Sequence, residues 1–286
     1  MENTGERHML TDNFENEADY YIHLVHIATY NFGLKFIKGK KVLDYGCGSG
    51  YGSCLMAGIA DQVVAVDISQ EAIEFAKENY SAHNLKYKEI SMLGNEKFDV
   101  ITSFQVIEHV PNDKKYVKKL KRYLNSGGYL LISTPDKSNR LYNHIQKPWN
   151  IYHLKEYTER SLNQLLKKYF QNIEMLQIGS NSNFAAYEIA RTQLQKKITL
   201  PCTLFIYPNF LRVFLLNSQT KAYKLFNKFR RKHKQVNKEE INQNFKSKYT
   251  IDNINIGKEL NYYTELLVVC KKEKKIAVPN KVLCKA

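Results

Sequence analysis

The sequence predicts an α/β protein: a doubly wound, seven-stranded sheet with an N-terminal helical cap and a helical insertion before the last strand. Three observations lead there. Lys41-Val-Leu-Asp-Tyr-Gly-Cys-Gly-Ser-Gly-Tyr-Gly52 reads as a short buried strand entering a glycine-rich turn, with a helix opening near Ser53. Asp61-Gln-Val-Val-Ala-Val-Asp67 reads as a second strand ending in a carboxylate. Phe98 to Ser103 reads as a buried fourth strand. Strands that alternate with helical stretches build a parallel sheet covered on both faces.

The glycine turn narrows the ligand. Gly46, Gly48 and Gly50 let the backbone adopt positive φ and approach a bound group closely, and the helix behind them presents unpaired N–H groups. A dinucleotide fingerprint needs a further glycine where Tyr51 stands. Asp44, just before the first glycine, would repel a pyrophosphate and attract an ammonium group. Asp67 lies 23 residues beyond Asp44, where an acid accepts both ribose hydroxyls. A cationic amine and an adenosine without phosphate describe S-adenosylmethionine.

On the motifs Val42-Leu-Asp-Tyr-Gly-Cys-Gly-Ser-Gly50 and Val64-Ala-Val-Asp67, the chain resembles the class I S-adenosylmethionine-dependent methyltransferases, which have a Rossmann-like sheet. The resemblance implies cofactor contacts from Asp44, Gly46, Cys47, Gly48, Gly50, Asp67, Ile68 and Gln105. Many relatives place an Asp after the third strand, which here is Leu85 to Ile90; this chain has Ser91-Met92-Leu93 instead. Ser91 would then hydrogen-bond the adenine and Met92 pack on its face. Cys47 reads as a small filler in the turn.

Lys97-Phe-Asp-Val-Ile-Thr-Ser-Phe-Gln-Val-Ile-Glu-His-Val110 resembles the Phe-Asp-x-Ile…Glu-His signature of small-molecule, sugar and quinone methyltransferases. It lacks the Asn/Asp-Pro-Pro-Tyr/Phe of enzymes acting on base amino groups. Pro201-Cys202 lies too far downstream to act as a cytosine C5 nucleophile. Asp136 to Tyr157 is a long loop of the kind that carries function. Relatives have a His before an acidic-Tyr-Thr sequence there, matched by His153 and Glu156-Tyr-Thr158. An alcohol or phenol acceptor must lose a proton, and histidine suits that task near neutral pH. The catalytic candidates are therefore His109 and His153, with Glu108 orienting a histidine or a hydroxyl and His144 a third histidine. The alternatives are that His109 braces the loop after strand four, that His153 contacts substrate or packs the loop, and that Glu108 serves backbone amides.

Elements flank this core in order. Residues 1–40 form the cap, with a helical period from Glu17 to Phe36. It is either a packing helix or a lid that brings Glu6, Arg7, Tyr20 and His23 over the pocket. Residues 41–180 form the core, with helices at Gln70 to Asn79 (capped by Ser69), Lys114 to Leu124 and Ser161 to Phe170, and a sixth strand at Ile173 to Ile178. Residues 181–262 are a basic amphipathic insertion, 263–273 hold the antiparallel last strand, and 274–286 are a tail.

At 286 residues the chain can bury a sizeable core. No charge-free run of 18 apolar residues occurs, and Met1 to Arg7 has no apolar signal region. The expected location is cytoplasmic, with peripheral attachment at the inner membrane face as a variant. The five cysteines show no metal spacing, so no metal is expected. Of the net charge of +15, residues 1–180 carry +1 and residues 181–286 carry +14. Within the insertion, Leu211, Phe214, Leu215, Ala222, Leu225, Phe226 and Phe229 share one helical face, and Lys228 to Lys234 is a basic run. Residues 200–234 thus suit docking on the core or a second subunit, peripheral contact with anionic lipid, or nucleic acid. The expected activity is O-methylation of a small-molecule, sugar, or glycan- or lipid-linked acceptor. A quinone or phenol O-methyltransferase and an RNA methyltransferase are the alternatives.

Overall fold

A computed structural model describes residue 14 and residues 16–142, 144–230 and 245–274. Val42-Leu43, Val63-Val64 and Val100-Ile101 set the plan, because successive strand side chains face opposite ways. The first member of each pair enters one hydrophobic cluster and the second enters another. A sheet that is apolar on both faces has to be covered on both.

The central parallel strands are β1 (Lys41–Tyr45), β2 (Gln62–Asp67), β3 (Leu85–Glu89), β4 (Phe98–Phe104) and β5 (Leu124–Pro135). β6 (Asn172–Gly179) and β8 (Tyr263–Lys271) follow, and β8 runs antiparallel between β5 and β6. The sheet holds eight strands, not the seven expected, in the order β3-β2-β1-β4-β5-β8-β6-β7. The extra member, β7 (Asn255–Gly257), pairs antiparallel with β6 at the edge. Its three residues are too few to show an apolar alternation in the sequence.

One face is covered by α1 (Glu17–Gly33) and α2 (Tyr51–Ala57), whose Tyr20, Tyr21, Val25 and Met56 are buried with Val42, Val63 and Val100. The other is covered by α4 (Asp113–Tyr123) and α6 (Glu159–Leu166), through Val117, Leu120, Leu162 and Leu166. α3 (Gln70–Asn79) begins at Ser69, whose Oγ accepts from the Ala72 amide, as the capping pattern predicts. Asp136 starts the short α5 (Lys137–Arg140).

Tyr20 and His23 are buried and do not line the cavity that His26 and Tyr30 of the same helix reach. Tyr20 donates to the Tyr249 carbonyl at 2.8 Å, and both rings pack on Phe14. Glu6 and Arg7 lie outside the described residues.

The insertion contains α7 (Asn183–Thr199) and α8 (Asn209–Arg230). α7 has no apolar stripe to announce it; it is anchored by Phe184, which meets Tyr20 and Tyr21 and stacks on Tyr249 at 3.9 Å. α8 turns a different face inward from the one expected. Phe214 and Leu225 are exposed, whereas Leu216 and Arg212 are buried. The reason is hydrogen bonding: the Arg212 guanidinium donates to the carbonyls of Pro148, Asn150 (3.0 Å) and Ile151 (3.0 Å) and to Asn209 Oδ1. Buried carbonyls need donors more than one more leucine needs burial. The side chains of Phe226 to Arg230, and the rest of the basic run to Lys234, lie outside the described residues.

Candidate active site

The C-terminal ends of β1, β2 and β4 open onto a cavity of about 440 Å³. Its floor is the glycine turn. Gly46, Gly48 and Gly50 all have positive φ, at 87°, 54° and 88°. A Cβ on Gly46 would stand 2.5 Å from Val106 Cγ2, whereas beyond Gly48 there is open space. Asp67 closes the turn: its carboxylate accepts from the Gly48 amide at 3.0 Å and the Ser69 amide at 2.9 Å. The two amides fix the carboxylate in the cavity lining, which also includes Gly48 and Ile68.

Gln105 lines the wall in a left-handed conformation (φ 56°) that costs a non-glycine residue of order 1–3 kcal/mol. Its amide donates to the Ser133 carbonyl at 3.0 Å, and its side chain donates to Glu265 at 2.8 Å. Cys47 is buried at the floor, and burial pushes its thiol well above the ordinary range, consistent with a filler and not a nucleophile.

Three residues expected at the cofactor lie outside the cavity lining. Asp44 does not line the cavity. It is buried below the turn, where Ser53 (2.6 Å), Thr102 (2.9 Å) and Tyr30 (3.3 Å) all donate to it. Burial lifts its carboxyl to about 6 against those three donors. It ties α1, α2 and β4 together beneath the turn. Ser91 and Met92 are exposed and stand outside the cavity; Ile90 provides that wall. The one-residue offset comes from the 3₁₀ turn over Ile90–Met92, which rotates Ile90 inward.

The other walls are aromatic: His26 and Tyr30 from α1, with Phe104, His109 and Tyr152. Burial and His23 lower His26 to about 4, so it is neutral at physiological pH. Its helical period reads as core packing, so the sequence offered no sign of it as a cavity residue.

The catalytic candidates from strand four and from the long loop meet. His109 lines the cavity, and the His153 ring packs edge-on against it with centroids 4.9 Å apart. His109 Nδ1 lies 3.2 Å from the Tyr152 carbonyl. A carbonyl only accepts, so neutral His109 carries its proton on Nδ1 and has its basic nitrogen at Nε2. His153 Nδ1 donates to Glu156 at 2.8 Å, and Arg140 holds the same carboxylate at 3.3 Å. Burial pushes Glu156 up, but Arg140 and His153 outweigh it and keep it below the usual range. Glu108 is buried behind the histidines, accepts from Thr134 at 3.0 Å, and is raised by burial. His144 sits apart, on a second cavity of about 1150 Å³ that also holds Lys137, Lys155 and Arg160.

Glu265 escaped sequence reading because its segment looked only like the last strand. Burial, reinforced by Glu108, raises it to about 8. Its folded value lies above that of an exposed glutamate, so the stability it contributes is complete below about pH 4.5 and is lost as pH rises through about 8. Asp44 and Asp136, both raised to about 6 by burial, act in the same direction. The thermal midpoint is therefore expected to fall from pH 5 to pH 9, and Glu265→Gln should flatten the upper half of that decline. An unflattened curve would place the loss elsewhere.

A glycine cradle with open space above it, an acid aimed at its rim and a histidine in the facing wall define the class I S-adenosylmethionine-dependent methyltransferase site. Residues 18–174 match the methyltransferase-domain family model, and the chain belongs to that family. S-adenosylmethionine is the cofactor of this family, and the open Gly48 face and the anchored Asp67 fit it. The chain is 34% identical over 135 residues to a ubiquinone biosynthesis O-methyltransferase of Glaesserella parasuis, covering 42% of this chain and 57% of that one. It is 31% identical over 165 residues to a protein of Mycobacterium tuberculosis named "probable S-adenosylmethionine-dependent methyltransferase", covering 57% and 58%. The chain thus spans a little over half the length of these curated relatives. Among solved structures, it resembles the YcgJ protein of Bacillus subtilis (TM-score 0.50, 14% identity, 87% and 100% covered). It also resembles the [4+2]-cyclase SpnF (TM-score 0.52, 13% identity, 94% and 89% covered). Such distant likenesses show the fold alone, and SpnF is named for a cyclase, so chemistry has to be argued from the site.

Asp67→Ala is expected to weaken S-adenosylmethionine binding about 100-fold, the loss of two charge-assisted hydrogen bonds. Calorimetric titration reads it directly, and an unchanged dissociation constant would remove the ribose assignment.

Proposed function

We propose that the chain is an S-adenosylmethionine-dependent O-methyltransferase whose acceptor hydroxyl is deprotonated at His109. The observation that carries this is His109 on the cavity wall, with Nδ1 tied to the Tyr152 carbonyl and a basic Nε2. The cofactor supplies an already activated methyl group. The chain's own residues then have three tasks. Gly46, Gly48 and Asp67 hold the donor, the aromatic wall of Tyr30, Phe104 and Tyr152 excludes water, and His109 removes the proton. His153, held by Glu156, packs on His109 and steadies its ring.

For the acceptor we favour a sugar of a glycan or lipid-linked intermediate. What supports a carrier-linked acceptor is the surface beside the site. Phe205, Ile206, Phe210 and Phe214 are exposed around the start of α8, and Arg212 bolts that helix to the loop bearing Tyr152 and His153. Lys196 and Lys197 on α7 and Lys221 and Lys224 on α8 add positive charge to the insertion. Apolar side chains with lysines nearby match an interfacial mode on anionic lipid. Among the described residues no helix is long and apolar enough to cross a membrane. A phenolic acceptor is the second reading, favoured by the aromatic cavity wall.

The test is methyl transfer from radiolabelled S-adenosylmethionine into a fractionated native-cell extract. Label in a lipid fraction, released as a methyl sugar by mild acid, supports the favoured reading. Acid-stable label on a phenol selects the second reading, and nuclease-sensitive label overturns both.

A further inference from the structure

Glu108, His109 and His153 approach one another from two separate segments. Each offers one possible ligand atom, and these atoms all lie within 4.8 Å of one another. Each residue is also held from behind by a group outside the trio. Thr134 donates to Glu108 Oε2, Glu156 accepts from His153 Nδ1, and the Tyr152 carbonyl accepts from His109 Nδ1. Such outer partners fix ring orientation and raise ligand basicity at metal centres.

A second, independent observation concerns Glu108. The residue is fully buried, and its other oxygen, Oε1, has no hydrogen-bond partner. An unsatisfied carboxylate oxygen inside a protein is costly and calls for a specific counterpart. Both histidine rings offer a nitrogen within 4.8 Å of its carboxylate.

We propose that Glu108, His109 and His153 bind a divalent first-row transition-metal cation. Two imidazoles and one carboxylate suit Zn²⁺, Co²⁺, Mn²⁺ or Fe²⁺, whereas Mg²⁺ and Ca²⁺ favour all-oxygen sets. Three protein ligands leave coordination positions open. Because His109 lines the cavity, an open position faces the acceptor. The inference rests on the methyltransferase reading and changes its proton step: His109 Nδ1 faces the Tyr152 carbonyl, so the ligating atom is Nε2, and with metal bound the acceptor proton leaves to water in place of His109. A hydroxyl ligated there loses its proton to water more readily, and the oxygen lone pair then forms the O–CH₃ bond as the S–CH₃ bond breaks. Cysteine spacing gives no sign of such a site, because its ligands come from a turn after β4 and from a loop some forty residues later.

The experiment uses the full chain, stripped with a chelator and titrated with CoCl₂, followed by visible absorption and equilibrium dialysis. One Co²⁺ per chain is expected. Glu108→Gln and His153→Gln should each weaken binding at least about 100-fold, and Glu156→Gln about 10–100-fold by weakening its hold on His153 Nδ1. Circular dichroism identifies any variant that does not fold. Glu156→Gln, which keeps a hydrogen-bond acceptor for His153, then carries the test. Absence of stoichiometric Co²⁺ binding, or a Glu108→Gln chain that binds as tightly as the parent, overturns the proposal. S-adenosylmethionine titration of the same stripped sample separates the two failures. Cofactor bound without cobalt refutes the metal site alone, and cobalt bound without cofactor refutes the methyltransferase reading.

Discussion

His109→Gln is expected to lower the turnover number about 10²–10⁴-fold while leaving the S-adenosylmethionine dissociation constant within a factor of two or three. That range is what a positioned proton acceptor contributes. Glutamine keeps a donor for the Tyr152 carbonyl, which now holds His109 at 3.2 Å, so the loop should stay in place. The split between turnover and cofactor affinity is the discriminating readout. Equal losses in both would mean that His109 braces the wall and handles no proton. His153→Gln should show a smaller turnover loss, since His153 is buried behind His109 and stands outside the cavity lining.

Arg212→Met is expected to be the most damaging change far from the cofactor. The guanidinium is 1% exposed and burial lowers its pKa below the usual arginine value, yet it satisfies three backbone carbonyls of one loop. Hydrogen bonds to a charged donor contribute about 1.5–3 kcal/mol each, so the loss is of order 5 kcal/mol. For a chain of this size that is roughly 10–20 °C in thermal midpoint, or local release of residues 148–151 if α8 detaches first. Hydrogen exchange over the loop distinguishes the two, and both should depress turnover by freeing Tyr152 and His153. Arg212→Lys should rescue only partly, because an ammonium cannot span three carbonyls from one planar fork. A variant with the parent's midpoint and activity would show that α8 is a passenger.

Much of the frame was legible in the chain itself. Paired apolar residues such as Val42-Leu43 and Val63-Val64 dictate strands buried on both faces, and alternate glycines before a helix dictate a ligand-binding turn. Asp67, at the end of β2, and His109, in the Glu-His sequence after β4 that resembles sugar and quinone methyltransferases, both line the cavity. These are local signals, written within a dozen residues and read by backbone sterics and periodicity.

Tertiary structure decided the rest. Asp44 looked like an ammonium contact, but three hydroxyls from separate elements enclose it below the turn. Ser91 and Met92 gave way to Ile90 because a single 3₁₀ turn rotates the wall. On α8, Phe214 and Leu225 are exposed while Arg212 is buried, because it answers carbonyls on a loop about sixty residues upstream. α7 and β7 exist through Phe184 packing and edge pairing, and neither carries a periodic signature. Glu265 and Gln105 meet across 160 residues of sequence, and the Glu108–His109–His153 cluster closes only when β4 and the long loop lie side by side. Apart from that local 3₁₀ turn, the deciding interaction joins groups distant in sequence. The sequence alone determined β1 to β5, the glycine turn and the helices α3, α4 and α6. Which buried polar groups found partners, and therefore which side chains face the cavity, was decided by the fold.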